Sequence, residues 1–118
     1  MAGPKWRVRL SAVAELDFAN ILKWTTENFG ARQARIYRDT LIRAIGELAG
    51  GPNPAGSKAR DEIMPGIRTL HLTRHGRRGR HLLLYRVVDG RFIEIGRILH
   101  DHMDLQRHWP STSGEAEE

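Results

Sequence analysis

Arg80–His100, RHLLLYRVVDGRFIEIGRILH, is the stretch whose reading decides the fold. Its two apolar runs, His81–Val88 and Phe92–Leu99, are joined through Asp89-Gly90. Asp-Gly between two β-rich runs signals a type I′ hairpin, because glycine takes positive φ without a Cβ penalty. With Asp89 and Gly90 as the loop, Val88 is expected opposite Arg91, Arg86 opposite Ile93, and Leu84 opposite Ile95. Strict alternation then gives one face Leu82, Leu84, Arg86, Ile93, Ile95, Arg97 and Leu99. The other face receives His81, Leu83, Tyr85, Val87, Phe92, Glu94, Gly96 and Ile98. Neither face is polar throughout, so both strands are expected to be central and at least partly covered on both sides. Helices should cover one side, and a groove or a partner the other.

Upstream of this hairpin the chain reads as a strand and two helices. Trp6–Leu10 alternates apolar and basic residues, the mark of a short strand with one buried face. Ser11 is a good N-cap for a helix over Ala12–Asn28, in which Ala14, Phe18, Ile21 and Trp24 recur at helical spacing. Phe29-Gly30 stops it. Ala34, Tyr37, Leu41, Ala44 and Leu48 then form a second apolar stripe, ended near Ala49 by Gly50-Gly51-Pro52. So short a turn between helices predicts an antiparallel helical hairpin. Asn53–Gly66 is a loop, Ile67–Thr73 a strand, and Arg74–Gly79 (RHGRRG) a basic turn leading into the hairpin. Beyond it, Asp101–Trp109 is expected to form a short helix or arm stopped by Pro110, and Ser111–Glu118 a disordered acidic tail. Helices grouped before a run of strands predict an α+β fold, β-α-α-β-β-β, with an antiparallel sheet packed against the helical hairpin. Residues 1–110 make a single domain, followed by the tail at 111–118.

At 118 residues the chain is long enough for one core burying roughly two-thirds of its unfolded surface. Without cysteine it holds no disulfide and no thiolate metal site, and its redox compartment is unconstrained. Met1–Lys5 lacks the apolar segment of a signal peptide, and no apolar run is long enough to span a membrane, so a cytoplasmic protein is expected. The net charge of +5 includes three acids and no base in Ser111–Glu118, so the preceding body carries +5 + 3 = +8. Ile63–Val88 contains no acid, but six arginines (Arg68, Arg74, Arg77, Arg78, Arg80, Arg86) and three histidines. Such a body suits an anionic partner, whether nucleic acid or an acidic protein segment.

Few constellations carry chemistry. His100-x-His102 would point to different sides of a helix, and no Glu or Cys spacing completes a metal site, so neither metal nor cofactor is expected. No phosphate-loop motif occurs, and no serine or cysteine nucleophile stands out; Gly76–Gly79 reads as a tight basic turn. Arg68, Tyr85, Arg97 and His100 could serve metal-free RNA cleavage, which needs a base, an acid and cations on the developing phosphorane. Each also has a structural reading: a packed Tyr85 with a capped hydroxyl, an ion-paired Arg97, a His100 satisfying backbone at a strand end.

The pattern Leu10-Ser11, Ala14, Asp17-Phe18-x-x-Ile21-x-x-Trp24 continues as Phe29-Gly30-x-x-x-Ala34-x-x-Tyr37, Leu48-Ala49 and Pro52. It is followed by Pro65-Gly66-Ile67-Arg68, His81–Val87, Glu94-Ile95-x-Arg97-Ile98-Leu99-His100, and Met103-Asp104 with Arg107. From Val8 to Trp109 this resembles the ParE toxins of bacterial type II toxin–antitoxin systems, within the RelE/ParE superfamily. The resemblance implies the same β-α-α-β-β-β fold. It also implies a toxin that inhibits DNA gyrase by protein–protein binding, without membrane association or sequence-specific nucleic-acid binding, and a neutralising ParD-like antitoxin. RelE-like relatives instead cut mRNA on the ribosome and usually carry a basic residue before the Leu-Val-Tyr of the central strand, where this chain has Leu82. On this reading target binding falls to Arg97, His100, Asp104, Arg107 and Trp109, and antitoxin binding to Trp6, Trp24, Tyr37, Arg74 and Arg78. The alternative is a ribosome-dependent endoribonuclease using Arg68, Tyr85, Arg97 and His100.

Overall fold

A computed structural model describes residues 6–103. Strand β1 (Arg7–Leu10) leads into helices α1 (Ala12–Phe29) and α2 (Ala31–Glu47), and α2 ends in a single 3-10 turn, Leu48–Gly50. Strands β2 (Lys58–Ala59), β3 (Arg68–His71), β4 (His81–Asp89) and β5 (Phe92–His100) complete a five-stranded sheet ordered β1-β5-β4-β3-β2. The α+β architecture and the helical hairpin are as the sequence predicts. No described helix is long and apolar enough to cross a membrane. Asp104–Glu118 lie outside the described residues, and with them Asp104, Arg107, Trp109, most of the expected terminal arm and the acidic tail.

The helix boundaries follow from local chemistry. The Ser11 hydroxyl oxygen accepts the Ala14 amide at 3.0 Å, capping the first turn of α1. Gly30, at φ 92°, ends α1 in a conformation that a side chain disfavours, and the Gly30 amide returns to Thr26 O at 2.9 Å.

Two sequence expectations about the sheet are corrected. First, the sheet is mixed: β1 runs parallel to β5, with Arg7 beside Phe92 and Leu10 beside Ile95, while the other pairs are antiparallel. No local signal sets the direction of a strand against a partner at the far end of the chain. A two-residue strand, β2, also extends the sheet beyond β3. Second, the β4–β5 register differs. Asp89 pairs with Phe92, so Gly90 and Arg91 form the loop, and Gly90 alone takes positive φ, at 50°. Glycine at the first central position is the mark of a II′ turn rather than I′. Val87 faces Ile93 and Arg86 faces Glu94; further along, Tyr85 faces Ile95 while Leu84 faces Arg97. Val88 and Gly96 are thus the extra residues of two β-bulges.

The Gly96 bulge reverses the inside–outside phase of β5. Ile93, Ile95 and then Ile98 join Leu83 and Tyr85 in the core under the helices, with Ala14, Leu41, Ala44, Leu48, Leu70 and Leu72. On the opposite face Leu82, Leu84 and Leu99 bury against Ile67, with Ile63 of the preceding loop packed beside them. Both faces of the central strands are therefore covered, but with Ile93 and Ile95 on the side opposite to Leu82 and Leu84.

Beyond Ile95, where β1 has ended, the edge of β5 is closed by α1 and its cap. The Ser11 hydroxyl donates to Gly96 O at 2.9 Å, and the Asp17 carboxylate accepts the Ile98 amide at 3.0 Å. The same carboxylate holds the Arg97 guanidinium through Nε at 2.7 Å and Nη2 at 3.0 Å.

Candidate functional site

The helical hairpin and the β3–β4 loop enclose a groove of about 1400 Å³. Its apolar wall is made by Trp24, Phe29 and Ile36, residues that stay 56%, 63% and 47% exposed. Trp24 and Phe29 meet edge to face, with ring centroids 5.6 Å apart. Its basic wall is made by Arg77, Arg78 and Arg80 from the loop, and His81 and His100 of the adjoining strands line it too.

The loop is held in place from α2. Arg77 bonds Asp39 at 2.6 Å and donates to Thr40 Oγ1 at 2.9 Å, and Arg74 binds Glu47 with two bonds of 2.7 and 2.8 Å. Arg43, 3.0 Å from Asp39 on the same helix, and then Arg77 hold the Asp39 carboxyl below the usual carboxylate range, and Arg74 does the same for Glu47. The Thr73 hydroxyl both donates to Gly79 O and accepts the Gly79 amide, closing the loop at its base.

Tyr37 joins helix, loop and strand. Its hydroxyl accepts the Arg80 amide at 3.1 Å and meets His81 Nδ1 at 2.7 Å. A neutral His81, the form that its burial favours, can take the phenol proton at Nδ1. Burial and the neighbouring His100 push the His81 pKa down to about 4, and burial raises that of Tyr37.

Of the residues the sequence singled out for a partner, Trp24, Tyr37 and Arg78 line this groove, and Trp6 and Arg74 do not. Trp6 packs on the core beside Gly51 with Arg91 over its ring at 5.8 Å. Arg74 is committed to Glu47 beside a smaller pocket of about 360 Å³. Phe29 and Ile36 were missed, because they fall off the apolar stripes that mark the buried helix faces.

The four residues of the RNA-cleaving alternative are divided among three environments. Tyr85 is fully buried, its hydroxyl donating to Pro52 O at 2.7 Å and meeting Ser57 Oγ at 2.7 Å. Arg68 donates to that same Ser57 Oγ at 2.8 Å. Arg97 is paired with Asp17, and His100 stands at the groove end against the His81 ring, with centroids 5.4 Å apart. Leu82, where a basic residue would stand in a RelE-like nuclease, is a core residue, 8% exposed.

One turn differs in kind from its sequence reading. His100 and His102 occupy the end of β5 and the turn after it, not a helix, and their rings stack at 5.2 Å with Asp101 between them.

Residues 8–105 match the family described as the ParE toxin of type II toxin–antitoxin systems, parDE. Toxin ParE1 of Mycobacterium tuberculosis is 36% identical over 102 residues, covering 86% of this chain and 96% of that one. Toxin ParE of Escherichia coli is 32% identical over 96 residues, covering 81% and 85%. In three dimensions the chain is similar to a chromosomal ParDE system protein from P. aeruginosa, with TM-score 0.66 and 24% identity over 83% of this chain and 98% of that one. A chain of the M. tuberculosis RelBE2 toxin–antitoxin complex gives TM-score 0.55 and 25% identity, covering 84% and 94%. With the family pattern running from within β1 past the end of β5, the chain belongs to the ParE toxins of type II toxin–antitoxin systems.

Proposed function

We propose that this toxin inhibits DNA gyrase by protein–protein binding in the cytoplasm, and that a ParD-like antitoxin neutralises it by laying an amphipathic helix in the groove. The observation that carries the non-nuclease reading is the placement of Tyr85, the one phenol of the RNA-cleaving alternative. It is fully buried and shared between Pro52 and Ser57, out of reach of a phosphodiester. Arg97, held by Asp17, and the apolar Leu82 support the same reading. Target contacts fall to the half-buried His100 at the end of β5 and to the segment holding Asp104, Arg107 and Trp109, with Arg97 as a positioning residue. For the antitoxin, the support is an apolar wall of Trp24, Phe29 and Ile36 facing arginines. That pairing suits a helix apolar on one side and acidic on the other.

The test is a supercoiling assay with purified gyrase and partner-free toxin. Inhibition with trapped, cleaved DNA is expected. Full supercoiling beside new cuts within reading frames of ribosome-bound mRNA would overturn the reading in favour of a RelE-like endoribonuclease.

A further inference from the structure

We propose that His100, Asp101 and His102 form a binding site for a divalent transition-metal ion of the zinc class, with His71 orienting the carboxylate. One donor atom from each of the three lies within 4.8 Å of the other two. Asp101 Oδ1 is buried and accepts no hydrogen bond. Around it stand His100 Nδ1 at 3.5 Å, His102 Nε2 at 3.7 Å and the cationic Arg80 Nε at 3.7 Å. Tetrahedral coordination with bonds of about 2.0–2.1 Å separates neighbouring donors by about 3.4 Å. The carboxylate oxygen thus stands from each imidazole at the separation of two ligands of one ion rather than of hydrogen-bond partners.

The second carboxylate oxygen is already engaged in the way a metal-binding carboxylate needs. The Thr73 amide donates to His71 Nδ1 at 3.0 Å, which leaves the ring hydrogen on Nε2, and Nε2 meets Asp101 Oδ2 at 2.9 Å. That bond turns Oδ1 toward the two imidazoles. The backbone is fixed as well, by Asp101 N to Arg80 O at 2.9 Å and Met103 N to His100 O at 3.0 Å.

Two imidazoles, one carboxylate and no thiolate suit Zn²⁺, Co²⁺ or Ni²⁺, whereas Mg²⁺ and Ca²⁺ demand oxygen ligands. Three protein ligands leave a fourth position for water or for a group brought by a partner. His100 also lines the groove, so a bound ion adds positive charge beside it. Three contacts give way on loading. Arg80, with Nη2 2.6 Å from His102 Nε2 and Nε 3.7 Å from Asp101 Oδ1, withdraws from both on a side chain that is 64% exposed. His100 Nδ1 exchanges the 3.2 Å bond from the His102 amide for the ion.

The test uses the full chain, untagged and freed of metal, titrated with Co²⁺ and then Zn²⁺. One equivalent of Co²⁺ should give the visible absorption of a four-coordinate site, and one equivalent of Zn²⁺ should remove it, while excess Mg²⁺ does not. His102→Ala alters a side chain 73% exposed, so folding is not at stake, and should weaken binding at least tenfold. His71→Ala should weaken it about tenfold. Arg80→Ala removes the competing cation and should tighten binding several-fold, a gain that misfolding cannot imitate. His75→Ala, at an exposed histidine of the β3–β4 loop, should change nothing. Absence of the cobalt spectrum, or an affinity indifferent to His102→Ala and Arg80→Ala, would overturn the site. The gyrase assay is independent of this result.

Discussion

Tyr85 and Tyr37 make an instructive pair, because each holds its hydroxyl in a polar network, yet only one belongs to a surface. Tyr85 sits in the core under the helices and ties the 52–57 loop to the sheet through Pro52 and Ser57, with Arg68 closing the cluster. Tyr37 ties α2 to the β3–β4 loop and to His81, and its network opens onto the groove. The residue types are those of an RNA-cleaving site in both places. Burial makes the first cluster a structural lock, and partial exposure makes the second the edge of a binding surface.

The comparison can be broken most forcefully at Tyr85. Tyr85→Ala removes a fully buried ring and should cost about 3–5 kcal/mol, read as a lowered denaturation midpoint in urea. A variant that keeps full stability would show the ring is not the lock described. Next comes the close approach beside Tyr37. A Cβ at Gly79 would stand 2.8 Å from Leu72 Cβ and 2.9 Å from Tyr37 Oη, so Gly79→Ala should cost about 1–3 kcal/mol. Calorimetry on the pair of proteins measures it.

A pH dependence separates the two networks further. His81 is neutral when folded, with a pKa of about 4 against 6.5 ordinarily, so between these values the unfolded chain binds more protons. Stability contributed by this group is therefore full above about pH 6.5, falls as pH drops toward about 4, and is flat below. Allowing for solvent screening, the loss is about 1–2 kcal/mol. His81→Gln, which cannot take the proton, should flatten the difference across that window in parallel urea titrations. The depressed Asp39 and Glu47 carboxyls lose their contribution at lower pH still.

The smallest effect on stability is expected on the groove wall. Trp24→Ala should change folding by no more than about 0.5 kcal/mol, since the ring is 56% exposed. The same change should weaken antitoxin binding at least tenfold, as aromatic anchors do in interfaces. Unaltered affinity in a calorimetric titration would move the antitoxin off this wall.

What the amino-acid sequence determined by itself is what short-range physics controls. Helix periodicity, the Ser11 cap, the Gly30 stop and the turn residues around Pro52 specify a strand, a helical hairpin and a later run of strands, because each depends on residues within a turn of one another. The apolar composition of β4 and β5 also showed that both faces would be covered. Tertiary structure alone decided the parallel pairing of β1 with β5, the Gly90-Arg91 loop, and the bulge at Gly96. Strict alternation carries no warning of an extra residue, and the phase of β5 follows from how Ile93, Ile95 and Ile98 fit under α1 and α2. The site shows the same division. Trp24, Tyr37 and Arg78 were legible as large or charged groups near a helical hairpin, whereas Phe29 and Ile36 declared themselves only once the groove existed. Asp17 beside Arg97, Ser57 between Tyr85 and Arg68, and His71 beside Asp101 are partners distant in sequence. Only the folded chain brings such charges and hydroxyls within bonding distance, because their pairing is a consequence of packing and not of local preference.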